Sequence, residues 1–503
     1  MEAGTVHRRE LPLRLVPRAG GFLEREGLLV GICASYVLFW SLAAPYWLQA
    51  DSWLTFLGGR EIVAHGLPHA DTLAVVTRGH AWIDQQWLSQ LLFFGLDRLG
   101  GVRLALLTTV ALLIVPLTVA VAFARRRGAS PTSIAPFAVL PALAFTSFLR
   151  AQLLSQVLFV VLLVLLAGES RRRTRRVLLA FPLVALWANL HGAAVVGAGL
   201  VALLGLAEVV SLARSRQRRL RPWARAVALA AGPWPCLLAT PYGLSVIGYY
   251  RTTLDNPLFR QTSTEWMAPT LASVTGFSVF VLAGLAVFLA ARRARDLTLY
   301  EHAVLASTLV GGFLAVRSIP WCAYACLLLL PPLLERERRG RGRSAPDPRP
   351  RLALAAVTST AAVAALLATA ASSNATLTGN WPAAATAAVA RVAGAGADPH
   401  ARVLASGEYG DWLLYELPEL RGRVAFDGRW ELLSTRQAET LLDYFWEIGN
   451  GWAASSRGYR LIVLNPRTQH RLLATLQAEA GVRVLFRDSH VAVVDRGARA
   501  DAG

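Results

Sequence analysis

Asp51 is the residue whose type and position point most directly to chemistry. It lies in Tyr46-Trp47-Leu48-Gln49-Ala50-Asp51-Ser52-Trp53, just beyond an apolar run over residues 27–46. Tryptophan concentrates at membrane–water interfaces. The spacing therefore puts a carboxylate at that level, partly desolvated and suited to accept a proton as a general base. The competing role is an ordinary acid at the start of the next helix. A second acid, Asp84, follows in Gly79-His80-Ala81-Trp82-Ile83-Asp84-Gln85-Gln86-Trp87. Placed beside Asp51 it is a second catalytic acid or, with Asp51 and His80, a ligand set for a divalent cation such as Mg or Mn. Its plain alternative is a helix cap.

Polar groups also interrupt apolar runs at three turns: Arg150-Ala151-Gln152, Trp187-Ala188-Asn189-Leu190-His191-Gly192 and Arg317-Ser318-Ile319-Pro320. A longer connection adds Thr240-Pro241-Tyr242-Gly243 and Thr264-Glu265-Trp266. Ionisable groups at or within membrane spans are costly and mark function or pairing. Arg150, His191 and Arg317 are candidates to converge on a phosphate, for which the guanidinium fork is well shaped. Gln152, Asn189 and Glu265 join them as candidate substrate-binding residues. The alternative is that each Arg snorkels to lipid headgroups and His191 ends a helix.

The elements that must position these residues follow from composition. Of 503 residues, 54% are hydrophobic and 17% charged, with a mean hydropathy of +0.43. Soluble domains carry about 25% charged residues, so an ordinary cytosolic enzyme is excluded. After the first apolar run, further spans are expected near 102–122, 133–149, 152–168, 177–190, 192–212, 226–240, 273–290, 301–316, 319–334 and 352–371, about eleven in all. Residues 1–26 form a basic arm. The long first outer loop, 47–101, carries the pattern of two amphipathic interfacial helices, after Asp51 and after Trp87. The four cysteines lie in apolar runs and support neither a disulfide framework nor a thiolate metal site.

Net charge is +19 and the chain has no lysine. The amino-terminal arm and alternate loops hold 29 Arg, the intervening connections 8. Cytoplasmic loops carry the positive excess. The reading is a multi-pass protein of the cytoplasmic membrane with its amino terminus inside and Asp51 outside. Charge divided among six loops makes no stripe for nucleic acid. Residues 372–503 change in composition. ARVLAS, GRVAFDGR, YRLIVLN, VRVLFRD and HVAVVDR read as short strands, and TRQAETLLDYFWEI and RTQHRLLATLQAEA as helices. This is an extracytoplasmic α/β domain ending in a hairpin, after an α-helical polytopic membrane domain over 27–371.

Together these features resemble the GT-C superfamily of membrane glycosyltransferases. The segment from Asp51 to Asp71 (D-x-W, then G-x-x-I-x-x-x-G-x-P-x-x-D, with Glu61 before Ile62), Trp82 to Leu88, and Trp187-Ala188-Asn189-Leu190-His191-Gly192 carry the likeness. Glu265-Trp266 and Phe426-Asp427-Gly428-Arg429 extend it over most of the chain. The resemblance implies inverting transfer of a sugar from a polyprenyl-phosphate donor to an envelope glycan, lipid or protein acceptor, with Asp51 as base. Many members hold two acids near the first span. Here Ser52 follows Asp51, so Asp71 or Asp84 would have to be the second. The competing readings are a transporter or flippase of lipid-linked saccharide, and an inactive assembly factor of the same fold.

Overall fold

The computed structural model describes residues 19–142, 148–254, 263–339 and 349–497. Most of the basic arm, the middle of the 133–149 segment, Arg260 and most of the Arg336–Arg351 loop lie outside them. Helices in chain order are α1 (Ala19–Ala43), α2 (Ala50–His65), α3 (Trp87–Arg126), α4 (Pro131–Ala142), α5 (Gln152–Arg171), α6 (Ala180–Leu190) and α7 (Ala194–Arg214). They continue with α8 (Leu220–Ala231), α9 (Val246–Leu254), α10 (Val274–Arg292), α11 (Leu299–Leu314), α12 (Ile319–Leu329), α13 (Pro331–Arg339) and α14 (Arg349–Ala371).

Among the described residues six helices are long and apolar enough to cross a membrane: α1 with its following turn, α3, α5, α7, α10 and α14. Val316–Leu329 with Pro331–Arg339, bent by 40°, adds a seventh if that pair is one span. The other four spans expected from the sequence are shorter helices among the described residues, and that near 133–149 includes residues outside them. Helix α6 has 11 residues and α8 has 12. At 1.5 Å per residue the two helices alone reach about 17 Å, but α6 continues directly from the 3-10 turn Arg175–Leu179, and α8 runs through Gly232 into the short helix Pro233–Cys236. Helix α6 packs against α5 and α7, and α8 lies along α7. Helices α3, α5, α7, α10 and α13 finish in arginine, and α14 begins in it. The turns holding Asp51, Arg150, His191 and Arg317 therefore gather at the other end of the bundle. The Arg-rich end is tied by ion pairs to buried acids, including Glu301 with Arg127 at 2.9 Å and Glu169 with Arg225 at 3.1 Å.

The long first loop, 47–101, departs from expectation. Helix α2 is not an amphipathic helix lying in the interface, because every residue from Ser52 to Gly59 is buried. It is wedged between the first half of α3 and a helix of the carboxy-terminal domain, α16 (Gly410–Glu416). Gly58 and Gly59 permit this approach: a Cβ on Gly58 would lie 2.0 Å from Gln90 Oε1, and one on Gly59 2.3 Å from the Gln90 carbonyl. The second expected interfacial helix is the start of α3 itself, which bends at Gly100–Gly101, where Gly101 takes φ +69°.

The carboxy-terminal domain adds α15 (Ala383–Ala393), α17 (Thr435–Trp446) and α18 (His470–Ala478) around a four-stranded sheet. Strands β1 (Val403–Ala405), β2 (Leu461–Leu464), β3 (Arg483–Arg487) and β4 (Ala492–Asp495) lie in the order β1-β2-β4-β3. The β1–β2 pair is parallel, the others antiparallel, and β3–β4 is the expected closing hairpin. Alternation along β1, β2 and β4 feeds two cores. Val403, Leu461, Val463 and Val493 join the core of the helical bundle. Leu404, Ile462, Leu464 and Val494 pack on α17 and α18.

GRVAFDGR, expected as a strand of this sheet, is instead a seam between the domains. Ala425 N donates to Val403 O at 2.8 Å, while Val75 N of the first outer loop donates to Val424 O at 2.8 Å. At the end of this seam Arg429 is buried between two acids: Nη2 is 2.7 Å from Asp71 and 2.5 Å from Asp427, and Nε donates to Asp427 Oδ1 at 2.9 Å. Its guanidinium stacks over Trp82, 4.2 Å from the ring centre. Burial works against this charge, but Asp427 and Asp71 outweigh it and hold Arg429 firmly protonated.

Removing one partner of such a cluster strands buried carboxylates, at a cost of about 3–5 kcal/mol. Arg429→Ala should lower the thermal midpoint of the detergent-purified protein by several degrees and expose residues 372–503 to protease. An unchanged midpoint and cleavage pattern would show that the seam does not depend on this cluster.

Candidate functional site

The site forms where four turns meet beneath the carboxy-terminal domain. Gln49 caps α2 and Ser52 completes a capping box, placing Asp51 in the first helical turn. Ser52 Oγ donates to Leu149 O at 2.7 Å, and Leu149 N donates to Trp47 O at 3.2 Å. This corner brings Asp51 beside Arg150, with Oδ2 3.6 Å from Nη1. The burial expected for Asp51 is not present: its side chain is 54% exposed. Arg150 also donates to both oxygens of Glu265, at 2.8 and 3.0 Å.

Glu265 sits in a 3-10 turn (Thr264–Trp266) fixed by Val316 N donating to Met267 O at 3.0 Å. That bond joins the turn to Arg317, whose guanidinium lies 4.1 Å from the centre of the Trp266 ring. Among the described residues no carboxylate comes within 4 Å of Arg317. His191 ends α6. Burial first, then Arg317 and Arg150, push its pKa down to about 3, so it is neutral. Its Nδ1 accepts from Ala193 N at 3.0 Å. That bond leaves Nε2 as the protonated nitrogen, free to donate to an anion.

Asp51, Arg150, Gln152, His191, Glu265 and Arg317 line one cavity of about 560 Å³. The structure thus brings together six of the residues singled out by sequence. It keeps the others apart. Asp84 is buried behind the wall, with Gln86 N donating weakly to Oδ1 at 3.4 Å and no partner for Oδ2. Burial pushes its pKa up to about 7. Asn189 is a structural clamp: Trp87 Nε1 donates to its carbonyl at 3.0 Å, and its amide donates to Ala239 O at 2.8 Å. His80 lies in a separate groove beside Ser434 and Gln437 and contacts Leu432 O at 2.9 Å.

The Asp51–Asp84–His80 set for a divalent cation is therefore not assembled, and no group of three His, Cys, Asp or Glu among the described residues is placed to hold a metal. Of the acids that line the cavity, Asp51 and Glu265 face a guanidinium. Asp71, the other candidate second acid, is committed to Arg429. Asp427 pairs with the same guanidinium.

Sequence reasoning missed the contribution of the carboxy-terminal domain. Gly428, Trp430 and Glu431 line the same cavity, as do Gln85 and Tyr249. The Phe426-Asp427-Gly428-Arg429 string marked the right neighbourhood, but nothing local showed that it folds onto Asp51. The cavity lies at one end of the bundle, and the transport alternative expects one that runs through it.

No family model matches the chain, and no curated protein matches it. Among solved structures, it is similar to the Archaeoglobus fulgidus oligosaccharyltransferase in its apo form, at 12% identity and TM-score 0.48, over 87% of this chain and 69% of that one. It is also similar to ArnT from Cupriavidus metallidurans bound to undecaprenyl phosphate, at 15% identity and TM-score 0.48, covering 96% and 99%. The apo state of ArnT gives 16% identity and the same TM-score and coverage.

A carboxyl whose folded pKa is raised stabilises the fold at low pH and loses that contribution as pH rises to the folded value. For Asp84 the window runs from about 4, the ordinary aspartate value, to about 7. Asp84→Asn should flatten the fall in thermal midpoint between pH 4 and pH 7. An unaltered fall would place the titration elsewhere.

Proposed function

We propose that this chain is an integral membrane glycosyltransferase that moves a sugar from a polyprenyl-phosphate donor to an acceptor at the outer face of the cytoplasmic membrane. The carrying observation is Arg317, a cavity-lining cation without an acid partner among the described residues, next to Arg150, His191 and Asp51. A half-buried charge without an acid partner in the resting site is a ready partner for an anionic ligand. A lipid phosphate supplies one at the depth where these helix ends lie.

In the proposed reaction the acceptor hydroxyl approaches the anomeric carbon while Asp51 takes its proton. The new carbon–oxygen bond forms as the bond to the phosphate oxygen breaks. The electron pair leaves on the phosphate, which Arg317, Arg150 and the Nε2–H of His191 stabilise. Attack opposite the leaving group inverts the anomeric centre. A phosphate leaves without help from a strong acid, so a single base with cationic stabilisation suffices. The Asp51–Arg150 contact orients the base. Among the described residues no donor set for a metal is assembled around Asp51. The excess of arginine at the other end of the bundle supports an outward-facing cavity. The acceptor is an envelope glycan, lipid or protein.

Undecaprenyl phosphate, which one neighbour binds, is the natural probe of the carrier site. Asp51→Asn should cut sugar transfer by roughly 10²–10⁴, the usual contribution of general-base catalysis, with carrier binding unchanged. Arg317→Ala should weaken undecaprenyl phosphate binding at least about tenfold, the loss of one charge-assisted contact. Full transfer activity in Asp51→Asn would overturn the assignment of the base. Undiminished binding in Arg317→Ala would remove the phosphate site.

A further inference from the structure

The proposed reaction employs Asp51, Arg150, His191 and Arg317, yet Gln85, Tyr249 and Glu431 line the same cavity. Gln85 is only 9% exposed and its Oε1 has no hydrogen-bond partner. A buried acceptor left unpaired costs about 1–3 kcal/mol, which a bound donor would recover. Gln85 Oε1 and Tyr249 Oη each lie 3.0 Å from the point a Cβ on Gly192 would occupy. The missing side chain thus keeps open a space where two polar atoms meet, one residue from His191. Glu431 arrives from the other domain, in the turn Trp430–Leu432 directly after the Arg429 cluster. Its carboxyl faces no cation within 4 Å among the described residues, and burial pushes its pKa up to about 7.

An amide, a phenol and a carboxylic acid together offer donors and acceptors without a fixed charge. That set matches ring hydroxyls. It suits neither a second phosphate nor a fixed cation. The sugar of a polyprenyl-phosphate donor is bonded to the very phosphate that His191 and the arginines would hold, so its hydroxyls fall at this wall. We propose that Glu431, with Gln85 and Tyr249, binds the hydroxyl groups of the donor's sugar, so that the carboxy-terminal domain selects what is transferred. This inference rests on the transferase reading and assigns the sugar subsite within it.

The test is equilibrium binding by the full chain in lipid nanodiscs of three probes: undecaprenyl phosphate, mannosyl-phosphoundecaprenol and arabinosyl-phosphoundecaprenol. The wild type should bind one glycosylated carrier about tenfold more tightly than the bare one, the worth of one or two net hydrogen bonds. Glu431→Ala should erase that preference while keeping affinity for undecaprenyl phosphate within about twofold, so the intact binding of the bare carrier reports a folded site. Glu431→Gln, which keeps the shape and hydrogen bonding, should retain most of the preference. A preference that survives in Glu431→Ala overturns the subsite, as does a wild type that binds bare and glycosylated carriers alike. Equal weakening toward all three probes in both variants overturns it in favour of a structural role. A wild type that binds no carrier at all overturns the transferase reading itself.

Discussion

The buried cluster of Asp71, Arg429 and Asp427 is the constraint on which the site depends. A guanidinium 2% exposed must find acids close by, because an isolated charge in that environment is too costly to bury. Its two partners, Asp71 and Asp427, are far apart in the chain, so satisfying it holds the long first loop and the carboxy-terminal domain in one fixed relation. The backbone hydrogen bonds of the seam lie alongside. Residues 430 and 431 follow directly and are carried over the cavity. A cluster that does no chemistry thereby decides which domain closes the place where chemistry is proposed.

Charge inside the cavity is unevenly paired. Arg150 is held by Glu265 and touched by Asp51, whereas Arg317 rests on an aromatic face. Two unit charges 4 Å apart interact by about 1 kcal/mol in bulk water and about 4 kcal/mol at the effective dielectric near a protein surface. The unpaired guanidinium is therefore the stronger attractor for an incoming anion. Arg150, already partly neutralised, serves to orient Asp51. The neutral His191 adds a donor without adding charge, so the pocket can release the phosphate product as well as bind it.

The part of the site legible in the sequence was the part set by topology. In a bundle whose connections alternate sides, every polar turn on one side is delivered to the same end. Asp51, Arg150, His191, Glu265 and Arg317 could therefore be gathered without knowing a single contact. Side-chain direction was not legible. Asp84 and Asn189 sit in equally polar turns, but one points into the protein behind Gln85 and Gln86, and the other clamps Trp87 to the Ala239 carbonyl. The apolar pattern of α2 was visible, yet it could not tell burial against lipid from burial against protein. That depended on Gly58 and Gly59 meeting Gln90, and on a domain more than 300 residues away. Glu431 was hidden for the same reason.

The helix that carries the proposed base is itself held by that distant domain. Trp53 packs on Trp381 and Tyr415, with ring centres 5.5 and 5.7 Å apart, and Phe56 meets Tyr415 at 5.8 Å. Arg60 donates to the carbonyls of Tyr415 and Leu414 at 2.6 and 2.9 Å. Apolar burial on this scale is worth several kcal/mol, enough to fix the axis of α2 and with it the approach of Asp51 to Arg150. The membrane domain supplies the cations through its turns, and residues 381–431 hold the base helix in place. Positioning of the base and closure of the cavity are thus two effects of one docking event, which couples the geometry of the proposed chemistry to the presence of the domain proposed to read the sugar.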